Sequence, residues 1–214
     1  MQRLRLPPMC NLYRMTSTFE AMRRLFAVEG VATNLPAYPE IYPNREGPII
    51  RSAPTGERVV DRALWGVPAP VAGARPVTNV RNLTSSFWRS ALTNPANRCL
   101  VPVTAFAEWT AEPDPVTARK RKVWFEVIDA EMFVFAGIVR RTAEGEADRY
   151  AFLTCAPNTI VGAIHPKAMP VILHGAAIDA WLTGDAAAAL ALPMADELMR
   201  VIPDAHEFRT FKAF

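Results

Sequence analysis

Residues Val123–Val139 read VWFEVIDAEMFVFAGIV, two runs of apolar, β-branched and aromatic residues on either side of Asp129–Glu131. The runs Val123–Ile128 and Met132–Val139 have the length of strands and fall short of a helix, and Asp129–Glu131 reads as a hairpin turn between them. A third run of the same kind, Tyr150–Cys155, follows. Shorter strand signals stand at Ile49–Arg51, inside a proline-rich and irregular stretch over 36–60, and at Met169–Leu173. Helical patterns surround this group. Ser17 and Glu20 have capping-box spacing, and Phe19, Met22, Leu25 and Phe26 recur at helical intervals, which predicts a helix over 17–28. Ser85–Leu92 reads as a short helix stopped before Pro95, and residues 176–183 and 186–192 as alanine-rich surface helices around Gly184. The strands cluster without a regular βαβ alternation, and the 19 prolines keep the elements short. The expectation is an α+β fold: a single domain over 9–214 with a mixed, largely antiparallel curved sheet and short peripheral helices.

Composition narrows the function classes. The chain has 214 residues, enough to bury a core without disulfide staples. No apolar run reaches the ~20 residues of a membrane span, and Met1–Pro8 lacks the apolar segment of a secretory signal. Cys10, Cys99 and Cys155 are odd in number and widely spaced, which points to a reducing cytoplasm and away from a disulfide framework. His165, His174 and His206 make no metal-ligand spacing. Of the 24 basic residues only Lys120, Lys122, Lys167 and Lys212 are lysine. Arginine suits bidentate phosphate contact, but a GC-rich genome also yields an arginine-rich chain, so composition alone leaves nucleic-acid binding open.

Four places put reactive polar groups inside apolar surroundings. Cys10 follows Met9, so a start at Met9, or loss of the leader, makes it an N-terminal cysteine with a free amine. Asn79 and Arg81 stand two apart in an extended stretch and share a face. Glu108 lies between Phe106 and Trp109, and His165 precedes Pro166. Taken singly each has an ordinary explanation: a buried small cysteine, a solvated strand edge, a boundary carboxylate, a capping histidine.

Together and in order they resemble a known family. Met9-Cys10-Asn11, Asn79-x-Arg81, Arg98-Cys-Leu-Val-Pro102 with Phe106-x-Glu108-Trp109, and Ile164-His-Pro-Lys-Ala-Met-Pro-Val-Ile-Leu173 are similar to the SOS-response-associated peptidase (SRAP) family, as is Trp65-Gly66-Val67-Pro68. The resemblance runs from Met9 to about Trp181. It implies that residues 1–8 are a removed leader or a misassigned start. It further implies that the mature cysteine captures the aldehyde of an abasic site in single-stranded DNA as a thiazolidine, and that members cleave off whatever precedes that cysteine. By motif, Cys10 is the nucleophile, Asn79 the active-site asparagine, Glu108 the catalytic carboxylate, His165 the catalytic histidine and Arg81 a DNA contact. The family's commonest form has an arginine two residues after the cysteine; Leu12 stands there, and Arg14 is the nearest arginine. Arg14 and a base-stacking Trp65 (or Trp88) complete the expected DNA contacts. The implied partner is abasic single-stranded DNA, bound by a cytoplasmic, nucleoid-associated monomer with no cofactor, metal or membrane.

The chemistry fits the residue types. An α-amine, with a pKa of about 7.7–8.0, is partly neutral at pH 7 and attacks an aldehyde. Loss of water gives an imine, and the thiol of the same residue closes a five-membered ring intramolecularly. An internal cysteine fails, because its nitrogen is an amide. Two alternatives remain: a cysteine autopeptidase with its own leader as substrate, and a non-catalytic reader that binds damaged DNA reversibly.

Overall fold

The strands in the computed structural model divide between two sheets, and one strand crosses from one to the other. Residues 10–30, 35–143, 146–190 and 193–203 are described; the leader over 1–8 and His206 lie outside them. In chain order the elements are β1 (Leu12–Met15), α1 (Phe19–Phe26), β2 (Tyr38–Ile41), β3 (Glu46–Ser52), β4 (Arg58–Trp65), β5 (Asn79–Val80), α2 (Arg89–Thr93), β6 (Arg98–Val103), β7 (Ala105–Trp109), β8 (Lys122–Val127), β9 (Phe133–Arg140), β10 (Arg149–Cys155), α3 (Thr159–Gly162), β11 (Met169–Pro170), β12 (Ile172–Leu173), α4 (Ala176–Thr183), α5 (Ala186–Ala189) and β13 (Met199–Ile202).

One sheet is antiparallel, in the order β13-β8-β7-β1-β2. In the other, β4, β3, β6, β9 and β10 pair in succession and β10 returns to β4, so five strands close into a barrel; β5, β11 and β12 attach at its rim. Among the strands of the described residues, β10 pairs in parallel with β4 and β5 and the other strand pairings are antiparallel, with one isolated parallel bridge at Val28–Arg58. The α+β, mixed and largely antiparallel architecture is as the sequence predicts. No helix among the described residues is long and apolar enough to cross a membrane.

The two sheets share one strand path. β6 belongs to the barrel and β7 to the antiparallel sheet, separated by Thr104 alone, whose N–H donates to Arg14 O at 2.9 Å. Phe106 of β7 then stacks on Phe125 of β8 and meets Phe133 and Phe135 of β9 edge-on. Each such buried ring contributes roughly 1.5–3 kcal/mol by leaving water. Further inside, Trp65, Phe152, Phe135 and Tyr13 form a continuous aromatic cluster.

Several local expectations are corrected. β8 and β9 are strands, but Asp129–Glu131 is not a hairpin turn: β8 pairs with β7 and β13, β9 with β6, β10 and β12. Asp129, at φ 57°, instead turns the chain from one sheet to the other. The helix cap is Thr18, whose hydroxyl accepts from Ala21 N–H, because the Ser17 hydroxyl is engaged with Glu131. Residues 36–60 hold β2, β3 and the start of β4. Pro39 is tolerated on edge strand β2, and Pro48 sits where β3 pairs with β4 but is not yet paired with β6. The 85–92 helix is shorter and later, Arg89–Thr93. Met169–Leu173 divides at Val171, pairing first with β10 and then with β9. α4 is more than a surface helix, since it buries Trp181, whose indole donates to Cys99 O and Gly137 O.

Candidate active site

Cys10 enters the fold immediately ahead of β1, and β1 fixes its neighbours. The register Leu12↔Ala107 and Tyr13↔Phe106 runs Cys10 alongside the Glu108 end of β7. Strand alternation puts Glu108 on the inward face with Phe106, and Ala105, Ala107 and Trp109 on the other. Asn79 opens β5, which Phe152 of β10 holds in parallel register. Its side-chain Nδ2 donates to Cys10 O at 3.0 Å and to Thr78 Oγ1 at 3.0 Å. His165 ends the turn after α3, its N–H donating to Val161 O at 2.8 Å. The His165 Nδ1 lies 3.1 Å from Ala168 O and 3.9 Å from Glu108 Oε2. The second distance is too long for a hydrogen bond. Ala111 N–H donates to Ile164 O at 3.0 Å and ties the exit of β7 to the His165 turn.

Cys10, Asn79, Glu108 and His165 thus come from four separate stretches and meet in one place, none more than 8% exposed. Burial pushes the Glu108 carboxyl up to about 8, with hydrogen bonds from the Cys10 thiol and backbone pulling only partly the other way. Its Oε1 is buried and has no hydrogen-bond partner among the described residues. Burial, with the Glu108 charge second, also drives the Cys10 thiol well above its ordinary range. Near neutrality the pair is therefore a protonated acid beside an un-ionised thiol. Such a carboxyl can give a proton to a departing oxygen and then accept one from sulfur.

The other expected residues separate. Arg81 is exposed just beyond β5, near enough to Cys155 for its charge to oppose the upward push of burial on that thiol. Arg14 lies on the opposite face of its sheet from Glu108, its guanidinium over the Trp124 ring at 4.8 Å, and lines a cleft of ≈ 350 Å³ with Thr16, Ser17, Thr104, Glu126, Ala130 and Glu131. Trp65 is a correction. It is fully buried, donates to Thr78 O and stacks on Phe152, and Trp88 is buried as well, so neither offers a ring to a base.

Three positions escaped the sequence reading. Thr78 holds the Asn79 amide, and the Ala168 carbonyl holds the His165 ring. Thr154, two residues past Phe152 on the same face of β10, buries a hydroxyl with no partner among the described residues. Its only signal was a lone polar group in the run Tyr150–Cys155. Backbone acceptors such as Ala168 leave no signal at all. Among the described residues no group of three His, Cys, Asp or Glu is placed to hold a metal.

The profile of a family described as SOS response associated peptidase (SRAP) matches residues 9–209. Solved structures from Bordetella bronchiseptica and Bacteroides thetaiotaomicron share the fold. A Bordetella protein is 26% identical, over 90% of this chain and 98% of its own, with a TM-score of 0.70. A phage-related Bordetella protein is 17% identical, over 92% and 94%, at 0.74. The Bacteroides protein is 23% identical, over 94% of each chain, at 0.74. No curated protein matches the sequence.

Proposed function

The chain belongs to the SOS response associated peptidase family, which supports a role in the DNA-damage response, and from that premise we propose that Cys10, once N-terminal, captures abasic sites in single-stranded DNA as a covalent thiazolidine. One observation carries this reading: a buried carboxyl raised to about 8 lies against Cys10, whose carbonyl is held by Asn79 and whose neighbour across Glu108 is His165. A structural cysteine in a core needs no such company.

The freed amine adds to the aldehyde carbon of the ring-opened sugar, forming a C–N bond. Protonated Glu108 delivers its proton to the resulting hydroxyl, which leaves as water and gives the iminium, whose nitrogen keeps one hydrogen. The Cys10 sulfur then adds to the iminium carbon and closes the ring. Its proton passes to the Glu108 carboxylate, and the C=N electron pair returns to nitrogen, which becomes the ring amine. The net change is loss of one water, and Glu108 ends as it began. His165 assists opening of the sugar ring, and Arg81 grips a neighbouring phosphate.

Denaturing electrophoresis of a chain beginning at Cys10, mixed with an abasic single-stranded oligonucleotide, tests the reading. A covalent band from wild type and none from Cys10→Ser is expected. An undiminished band from the variant, or no band from wild type, overturns it.

Contact between Cys10 and Glu108 also favours a second reading that is compatible with the first, autocatalytic removal of the residues ahead of Cys10. Intact mass decides it: Cys10→Ala retains those residues if Cys10 performs the cleavage. Trimming unchanged in that variant assigns it to host enzymes.

A further inference from the structure

The β7–β8 connection carries Thr110–Arg121, and its basic run Arg119-Lys120-Arg121 takes no part in the site described above. The connection is built as a rigid display. Thr110 N–H donates to Arg121 O at 3.0 Å, and Arg121 N–H returns to Thr110 Oγ1 at 3.1 Å, closing its base. Asp114 organises the tip: Oδ1 accepts from Val116 N–H, Thr117 N–H and the Thr117 hydroxyl, while Asp114 N–H donates to Arg119 O at 2.8 Å. Those backbone donors, with smaller contributions from the Thr117 hydroxyl and the nearby Arg121 charge, hold the Asp114 carboxyl below its usual range. Ala118, at φ 55°, supplies the left-handed residue of the turn.

Arg119, Lys120 and Arg121 are all exposed, and none forms an ion pair among the described residues. Elsewhere Arg24 pairs with Glu131, Arg51 with Asp61, Arg58 with Asp179, Arg62 with Glu46 and Arg141 with Asp148. Asp114 is committed to the turn, and Glu112 is the one other acid in the connection.

Position gives this exposed charge a use. Arg121 lies opposite Thr110, two residues beyond Glu108, about 7 Å along the strand. The same end of β7 is bonded to the His165 turn through Ala111 and Ile164. We propose that the Arg119-Lys120-Arg121 tip is a phosphate-binding arm that grips the backbone of single-stranded nucleic acid beside the Glu108–His165 site, without reading its bases. The arm rests on the reading of the site as one that receives single-stranded DNA, and extends it to a specific, base-independent contact.

The test uses the full chain and a fluorescent oligothymidine with no abasic site, titrated by anisotropy at a series of salt concentrations. Single-strand binding loses about 0.7 from the slope of log K against log salt per phosphate contact. Arg119→Gln/Lys120→Gln/Arg121→Gln is expected to flatten that slope by about 2 and weaken binding at least tenfold at ~50 mM salt. A control with the same charge change elsewhere, Arg23→Gln/Arg24→Gln/Arg62→Gln, is expected to leave the slope as in wild type. Equal losses in the two variants reduce the effect to net charge, and an unaltered slope in the first makes the tip a solvated surface; either result overturns the arm. In crosslinking of an abasic strand, with wild type and tip variant both beginning at Cys10, the tip variant should need more DNA for half-maximal yield. Absence of any crosslink from wild type would remove the thiazolidine reading and leave the anisotropy result standing.

Discussion

Replacing Glu108 by glutamine removes one titratable group while keeping the shape of the side chain, and the consequence for stability follows from its burial. In the folded chain bearing residues ahead of Cys10, the carboxyl titrates at about 8, against an ordinary value of 4.5. Between these values the folded protein holds a proton that the unfolded chain has released. Stability that is fully present below pH 4.5 therefore drains away as pH rises through 8, at up to about 1.4 kcal/mol per pH unit. Over the whole window the loss is on the order of 5 kcal/mol, a large share of the roughly 5–15 kcal/mol that holds a domain together. The glutamine variant has no such group. Urea unfolding of both proteins from pH 5 to pH 9 should show wild type losing ground to Glu108→Gln steadily up to about pH 8 and level thereafter. A stability difference that does not move with pH would mean that the carboxyl is already ionised in the fold, and with it would go the proton-donor role argued for Glu108. A chain beginning at Cys10 should show a smaller pH effect, because an α-ammonium beside the carboxyl favours its charged form.

Two further outcomes test the scaffold. Arg98 is buried and donates to Leu92 O from Nε and Nη2, and to Trp181 O and Gly184 O from Nη1, so it joins the ends of α2 and α4. Arg98→Ala leaves those carbonyls unpaired and should lower stability by about 3 kcal/mol in urea unfolding. At Gly137 an added Cβ would stand 2.8 Å from Cys99 Sγ and 2.9 Å from Val101 Cγ2. Gly137→Ala should therefore cost about 1–3 kcal/mol through overpacking, read as a lowered thermal midpoint.

What the sequence made legible was local, and what it hid was partnership. Val123–Ile128, Met132–Val139 and Tyr150–Cys155 show their strand character through β-branched and aromatic residues that suit a pleat. Nothing in Asp129–Glu131 says that the strands on either side belong to different sheets. That choice is made by Phe106 stacking on Phe125 and by β9 finding β6, contacts between residues far apart in the chain. Ser17 lost the cap to Thr18 for the same kind of reason, because Glu131 takes its hydroxyl. Trp65 shows the limit for the site: an indole good for a base is equally good for a core, and only the position of Phe152 decides. The ordered set Cys10, Asn79, Glu108 and His165 was readable as a pattern, but the flanking Trp109 was a misleading sign of an apolar surround for Glu108. It faces the other side of the strand, and the inward neighbours on β7 come at steps of two.

The passage from β6 to β7 through the single residue Thr104 makes the reactive carboxyl a matter of odd and even. With one residue more or one fewer in that corner, alanines would line the interior while the acid faced outward, and every strand pairing beyond it would have to be renegotiated. The short step at Thr104 admits insertions and deletions only in pairs.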